Sequence, residues 1–133
     1  MAGGHVYVFF VYGMYYQLNV VCGAVDTPHV VLIRALEPVD GIETMRLRRG
    51  LMKDKNLTSG PGKLCIALGI TRDLNAADLL GDQIWVEEYR SFTQTEVSSG
   101  PRIGIDYAGE DAHNPWRFWI TGNEYVSKTP KLS

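Results

Sequence analysis

Residues 5–20 read HVYVFFVYGMYYQLNV, and the reading of this run decides the fold. Tyr7, Phe9 and Val11 alternate with Val8 and Phe10 before Tyr12-Gly13 breaks the pattern. It resumes through Tyr15, Tyr16, Leu18 and Val20. Period-two alternation around a glycine-bearing break is the signature of a β-hairpin. Residues 5–12 and 14–22 are therefore expected to form two antiparallel strands joined at Tyr12-Gly13. Phe9, Phe10, Tyr12, Tyr15 and Tyr16 crowd one turn, far more ring surface than a turn needs for its own stability.

Outward from the hairpin, HVVLIRALEP (29–38) reads as a further strand with Arg34 inside an apolar run. Pro38 and Gly41 mark a turn, and IETMRLRRGLM (42–52) reads as a short helix with Ile42, Met45 and Leu47 inward and Arg46, Arg48 and Arg49 outward. DKNLTSGPG is loop by composition, and GKLCIALGI (62–70) reads as a helix that Gly69 ends. A helical turn is expected near 75–80, strands at QIWVEEY (83–89), PRIGIDYAG (101–109) and WRFWI (116–120), and a polar loop over 90–100. Short strands mixed with short helices predict an α+β fold with a curved, mostly antiparallel sheet. A chain of 133 residues fits one domain, without repeat or linker.

Net charge is −2, which argues against a uniformly cationic surface. The charge is unevenly spread: Arg34 to Lys63 holds seven Lys/Arg against four Asp/Glu. Such a local basic face attracts phosphates even on a slightly acidic chain, although a solvated charged face gives the same pattern. Cys22 and Cys65 lie in apolar surroundings at a spacing that suits neither zinc nor a CxxC redox motif. Buried free thiols fit a reducing cytosol. The apolar N-terminal run lacks a basic flank and alternates as a strand does, so it does not read as a secretion signal. No apolar stretch reaches bilayer length, and no membrane partner is expected. His5, His29 and His113 are scattered without metal-ligand spacing, so no metal is expected. Trp85, Trp116 and Trp119 read as core.

Four blocks in order, YVFFVYGMYYQLNVV, VLIRALEPVDGIETM, LTSGPGKLCIALGIT and PRIGIDYAGEDAHNPWRFWITGNEYVS, cover nearly the whole chain. Together they resemble the alkyladenine (3-methyladenine) DNA glycosylase family. The resemblance implies a compact domain with a protruding, DNA-intercalating hairpin. It implies hydrolysis of the N-glycosidic bond of alkylated or deaminated purines in duplex DNA, with water as the nucleophile and no cofactor. A purine inside a duplex must be extruded before a side chain can reach it, and the vacancy in the stack needs a filler. By position in the family's pattern, Tyr12 is the intercalating ring, with Gly13 and Met14 beside it on the DNA. Phe9 stands where a stacking tyrosine is common. Asn19 stands in the pocket floor, where an amide near C2 of the purine leaves no room for the exocyclic amine of guanine. Arg34 and the backbone carbonyl of Ile103 hold the attacking water. Lys63, in SGPGK, meets the DNA backbone; the spacing is not that of a nucleotide-binding P-loop.

Each assignment has a plainer alternative. An asparagine in a strand commonly satisfies nearby backbone, an arginine in an apolar strand pairs with an acid, and an exposed lysine is simply solvated. Arg46, Arg48 and Arg49 read as surface cations whose loss lowers DNA affinity and salt dependence. The family's pattern also places a glutamate general base, with further rings, before the hairpin. Only MAGG precedes His5, so no residue here matches them. General-base assistance is worth about 10²–10⁴ in rate. Two expectations follow: this chain handles DNA better than it hydrolyses it, and rings of the hairpin sheet stand exposed, favouring self-association of a family whose members are monomers. The rival class is a non-catalytic binder of damaged or distorted duplex.

Overall fold

The computed structural model describes residues 3–11, 15–24, 27–50, 53–101 and 114–126. The chain divides into two units, 1–88 and 89–133, and each is described by itself. In the first, β1 (His5–Val11), β2 (Tyr15–Ala24) and β3 (Thr27–Leu32) form an antiparallel sheet in the order β1-β2-β3. Val8 pairs with Leu18, Phe9 with Gln17 and Val11 with Tyr15, the register of a hairpin. That is the arrangement the alternation implies.

Two short helices follow, α1 (Ile42–Arg49) and α2 (Pro61–Leu68). Pro61 begins α2, where its missing N–H costs nothing. Gly50 and Gly69 end the two helices in the left-handed conformation that favours glycine. The core forms where one face of the sheet meets α2: Val6, Val8 and Leu18 pack with Leu64, Cys65 and Ile70. A second cluster, Met45, Leu57 and Ala67, locks α1 against α2.

The outer edge of β1 is not left open. Val6 N–H donates to Ala77 O, Ala76 N–H to Val6 O and Leu79 N–H to Gly4 O. Val8 N–H donates to Asn75 Oδ1 at 2.9 Å. An edge satisfied in this way cannot recruit another strand there. In the second unit, β4 (Val97–Gly100) pairs antiparallel with β5 (Arg117–Ile120). Arg117 is buried with its guanidinium 5.6 Å from the centre of the Trp119 ring.

The α+β class with antiparallel sheets stands. Several local expectations do not. β3 stops at Leu32, and Arg34 lies in extended chain beyond it, because Thr58 takes over the pairing: Leu36 N–H donates to Thr58 O and Thr58 Oγ1 to Leu36 O. QIWVEEY forms no strand; Trp85 is exposed and its indole N–H donates to Glu87. Trp116 is likewise exposed rather than core, and so is Leu47, which faces away from the side of α1 that buries Met45. The polar 90–100 segment contains β4, which its serines and glycine concealed. The turn near 75–80 is preceded by a 3-10 turn at Arg72–Leu74. The strand expected at 101–109 falls almost wholly outside the described residues.

Candidate functional site

The sheet face opposite the core carries the rings. Paired residues of neighbouring strands point to the same side, so Tyr7 with Asn19, Phe9 with Gln17 and Val11 with Tyr15 share one surface. Tyr7 and Phe9, two residues apart on β1, stack with ring centres 5.9 Å apart and planes 22° apart. They are 38% and 46% exposed, and Tyr15 is 44% exposed. Tyr16, its neighbour in sequence, turns the other way and packs against the core and Phe10. Successive residues of a strand point to opposite faces, so the two tyrosines part company.

Asn19 lies at the base of this surface, 8% exposed, opposite Tyr7 on β1 and Leu32 on β3. Its Nδ2 donates to Tyr7 O at 3.3 Å and to Gln17 O at 3.5 Å. The plainer alternative thus describes half of this amide. Its donor end satisfies local backbone, while its oxygen has no hydrogen-bond partner among the described residues. An acceptor so placed, beside two stacked rings, can receive a hydrogen bond from a flat heterocycle.

Arg34 is exposed and makes no ion pair or hydrogen bond with any described residue, so it is not the core ion pair that an apolar strand suggests. Lys63 is exposed in the first turn of α2, its stem folded over Gly60. The start of that helix abuts the hairpin: a Cβ on Gly62 would stand 2.9 Å from Tyr15 Cδ1. Phe9, Asn19 and Lys63 are all placed by the same hairpin and the helix packed on it. Tyr12, Gly13, Met14 and Ile103 lie outside the described residues.

The three arginines of α1 are committed elsewhere. Arg46 grips Asp54 with two hydrogen bonds of 2.7 Å. That pairing raises the Arg46 pKa and holds the Asp54 carboxyl below its ordinary range. Arg48 Nη1 donates to Ala67 O at 3.0 Å, laying a cation across the C-terminal end of α2, where the helix dipole favours it. Arg49 donates to Leu57 O and Asn56 O. Arg48 stands exposed and Arg46 and Arg49 half-buried, and all three tie α1 to the 53–68 segment.

Tyr7 escaped the sequence-based assignment of site residues. The signal was present: a residue two before Phe9 on a strand must share its face. The thiols are free, Cys65 buried and Cys22 half-buried. Burial pushes the Cys65 pKa up to about 11. A cleft of about 470 Å³ is lined by Leu68, Ile70, Leu74 and Ile84 among others. It opens beside the core-facing side of the sheet and holds none of these site residues. Among the described residues no group of acidic, histidine and cysteine side chains could hold a metal, and no helix is long and apolar enough to cross a membrane.

Residues 1–124 match the family model of the methylpurine-DNA glycosylases. A protein of Bacillus cereus (strain AH820) is 50% identical over 96% of this chain and 67% of its own length, as is one of Bacillus anthracis (strain A0248). One of Bacillus thuringiensis (strain Al Hakam) is 49% identical over the same shares. Each bears the name "Putative 3-methyladenine DNA glycosylase". The chain belongs to the methylpurine-DNA glycosylase family. It spans about two thirds of the length of these relatives.

Proposed function

We propose that this chain works in DNA repair as a glycosylase domain that captures methylated or deaminated purines, of the 3-methyladenine and hypoxanthine class, flipped out of duplex DNA. The observation that carries the reading is the exposed Tyr7–Phe9 stack set beside the amide of Asn19 on a solvent-facing sheet. Large rings left in water on a strand are a platform for a planar partner. The family adds the chemistry: water breaks the bond between base and C1′, without cofactor or metal.

In this reading Tyr12 enters the base stack and Gly13 and Met14 lie along the groove. Phe9 stacks on the extruded base, keeping a π-face but offering no hydroxyl. Asn19 excludes a C2 amine. Arg34, with its guanidinium uncommitted, holds water together with the Ile103 carbonyl, and Lys63 meets a phosphate. Leaving the sugar as an oxocarbenium-like species calls for a nearby carboxylate to take the water's proton and steady the charge.

The test is a duplex holding one hypoxanthine, incubated with the protein and then treated with alkali. The reading expects a retarded complex, and strand breaks at the position of the hypoxanthine. A retarded complex without breaks overturns the excision role and leaves the rival, a binder of distorted duplex. Failure to retard any duplex overturns both.

A further inference from the structure

We propose that Tyr7 is a positioning residue for base capture: its ring braces Phe9, so that Phe9 is already set when an extruded base arrives. The inference rests on the DNA reading above. It starts from how little holds Phe9. The ring is 46% exposed and, being phenylalanine, has no hydroxyl with which to anchor itself. Its partner across the hairpin is Gln17, not another ring. A ring in that setting turns readily about its last side-chain bond. The ring stacked on it among the described residues is Tyr7, with centres 5.9 Å apart and planes 22° apart.

Tyr7 is better fixed than the ring it supports. Val6 and Val8, its neighbours on either side, are buried in the core beneath the sheet. Their N–H groups are tied to Ala77 O and Asn75 Oδ1. The Tyr7 carbonyl accepts from Asn19 Nδ2 at 3.3 Å. Phe9 has a core neighbour on one side only, Val8, because Phe10 beyond it is 40% exposed. The ring spacing also limits what the pair can do. Stacked carbon surfaces lie about 3.5 Å apart, so a base held between two rings needs about 7 Å. The 5.9 Å observed is too little, and Tyr7 and Phe9 form one braced unit, not a clamp. Phe9 then offers a base only the surface that Tyr7 leaves uncovered. Ordering Phe9 before the base arrives removes a cost that binding would otherwise bear.

The measurement is a double-mutant cycle. Its readout is the ratio of affinities, by fluorescence anisotropy, for two labelled duplexes of one sequence, one carrying hypoxanthine and the other adenine at that position. An aromatic contact of this kind is worth about two- to tenfold in an equilibrium, so Tyr7→Ala should lower the ratio by about that factor. Tyr7→Phe, which keeps the stacking ring, should restore it. In a Phe9→Ala background the ratio is already reduced, and adding Tyr7→Ala should lower it no further. A further fall of the same size there means that Tyr7 meets the base directly, and overturns the brace while leaving the DNA reading intact. So does a Tyr7→Phe ratio as low as that of Tyr7→Ala, which puts the effect in the hydroxyl. So does an equal loss of affinity for both duplexes, which makes Tyr7 a residue of the fold alone. A parent that binds the two duplexes alike overturns the lesion-capture reading itself, and the brace with it.

Discussion

Gly62 and Tyr15 leave no room for a side chain between them: a Cβ on Gly62 would stand 2.9 Å from the ring's Cδ1 and 3.1 Å from its Cβ. This contact joins the first turn of α2 to the first residue of β2, and so sets the helix beside the hairpin. The expected effect of Gly62→Ala has an unusual sign. In a helix, glycine to alanine ordinarily stabilises by about 0.4–1 kcal/mol. Here the added methyl meets the base of a ring whose Cβ cannot swing away, and overpacking costs about 1–3 kcal/mol. Urea unfolding should show a lower midpoint for Gly62→Ala. A midpoint equal to or above the parent's would mean that helix and hairpin are not in contact.

The arginines of α1 should separate by what they bind. Arg49 satisfies the carbonyls of Asn56 and of the fully buried Leu57, so Arg49→Ala strands acceptors and should cost about 1–2 kcal/mol. Arg46→Ala removes only an exposed ion pair, and such pairs contribute little. The pH dependence follows from the direction of the Asp54 shift. Its carboxyl is held below the ordinary value of 3.8, so its contribution is present above that pH and is lost as acid protonates it. A stability ranking of Arg46→Ala below Arg49→Ala, or a destabilisation by Arg46→Ala that persists unchanged in acid, would contradict this division.

The hairpin was legible because its register is written in period-two alternation, and a shift of one residue would bury Tyr7 and Phe9 while exposing Val6 and Val8. The helices were legible from their glycine and proline punctuation. The end of β3 was not, because Thr58 and Leu36 compete for the same backbone groups from 22 positions apart. The partners of the α1 arginines were hidden for a related reason. The spacing of the arginines on α1 reads as an outward face, but their acceptors are the Asp54 carboxylate and carbonyls at 56, 57 and 67, which a local pattern does not reveal. At the site, alternation alone puts Phe9 and Tyr7 together, whereas the inward setting of Asn19 depends on being flanked by strands on both sides.

The two thiols should react at different rates. Cys65 is buried beneath the sheet, and desolvation lifts its pKa from 9.0 to about 11. At neutral pH it holds its proton and is shielded, so a thiol reagent should modify Cys22 first and Cys65 only on unfolding. The sign of the linkage is fixed by the shift. The native state keeps the Cys65 proton to higher pH than the unfolded chain does, so the contribution is present below pH 9.0 and is lost as pH rises towards about 11. Cys65→Ala should flatten that alkaline decline. Equal reaction rates for both thiols in the native protein would refute the burial of Cys65.

Asn19 should separate stability from selectivity. Its two donated hydrogen bonds, at 3.3 and 3.5 Å, are long, so their removal in Asn19→Ala should cost only about 0.5–1.5 kcal/mol. On the proposed reading the larger consequence is for base choice. The buried amide fills the space that the C2 amine of guanine would need, and alanine vacates it. The measurement is the ratio of affinities for two duplexes that differ only in carrying hypoxanthine or guanine opposite thymine. The parent should favour hypoxanthine, and Asn19→Ala should narrow the ratio by admitting guanine, with hypoxanthine binding changed less. An unaltered ratio in a folded variant would reduce Asn19 to a strand residue that satisfies its neighbours' carbonyls. The selecting group would then lie elsewhere on the face that Tyr7 and Phe9 share.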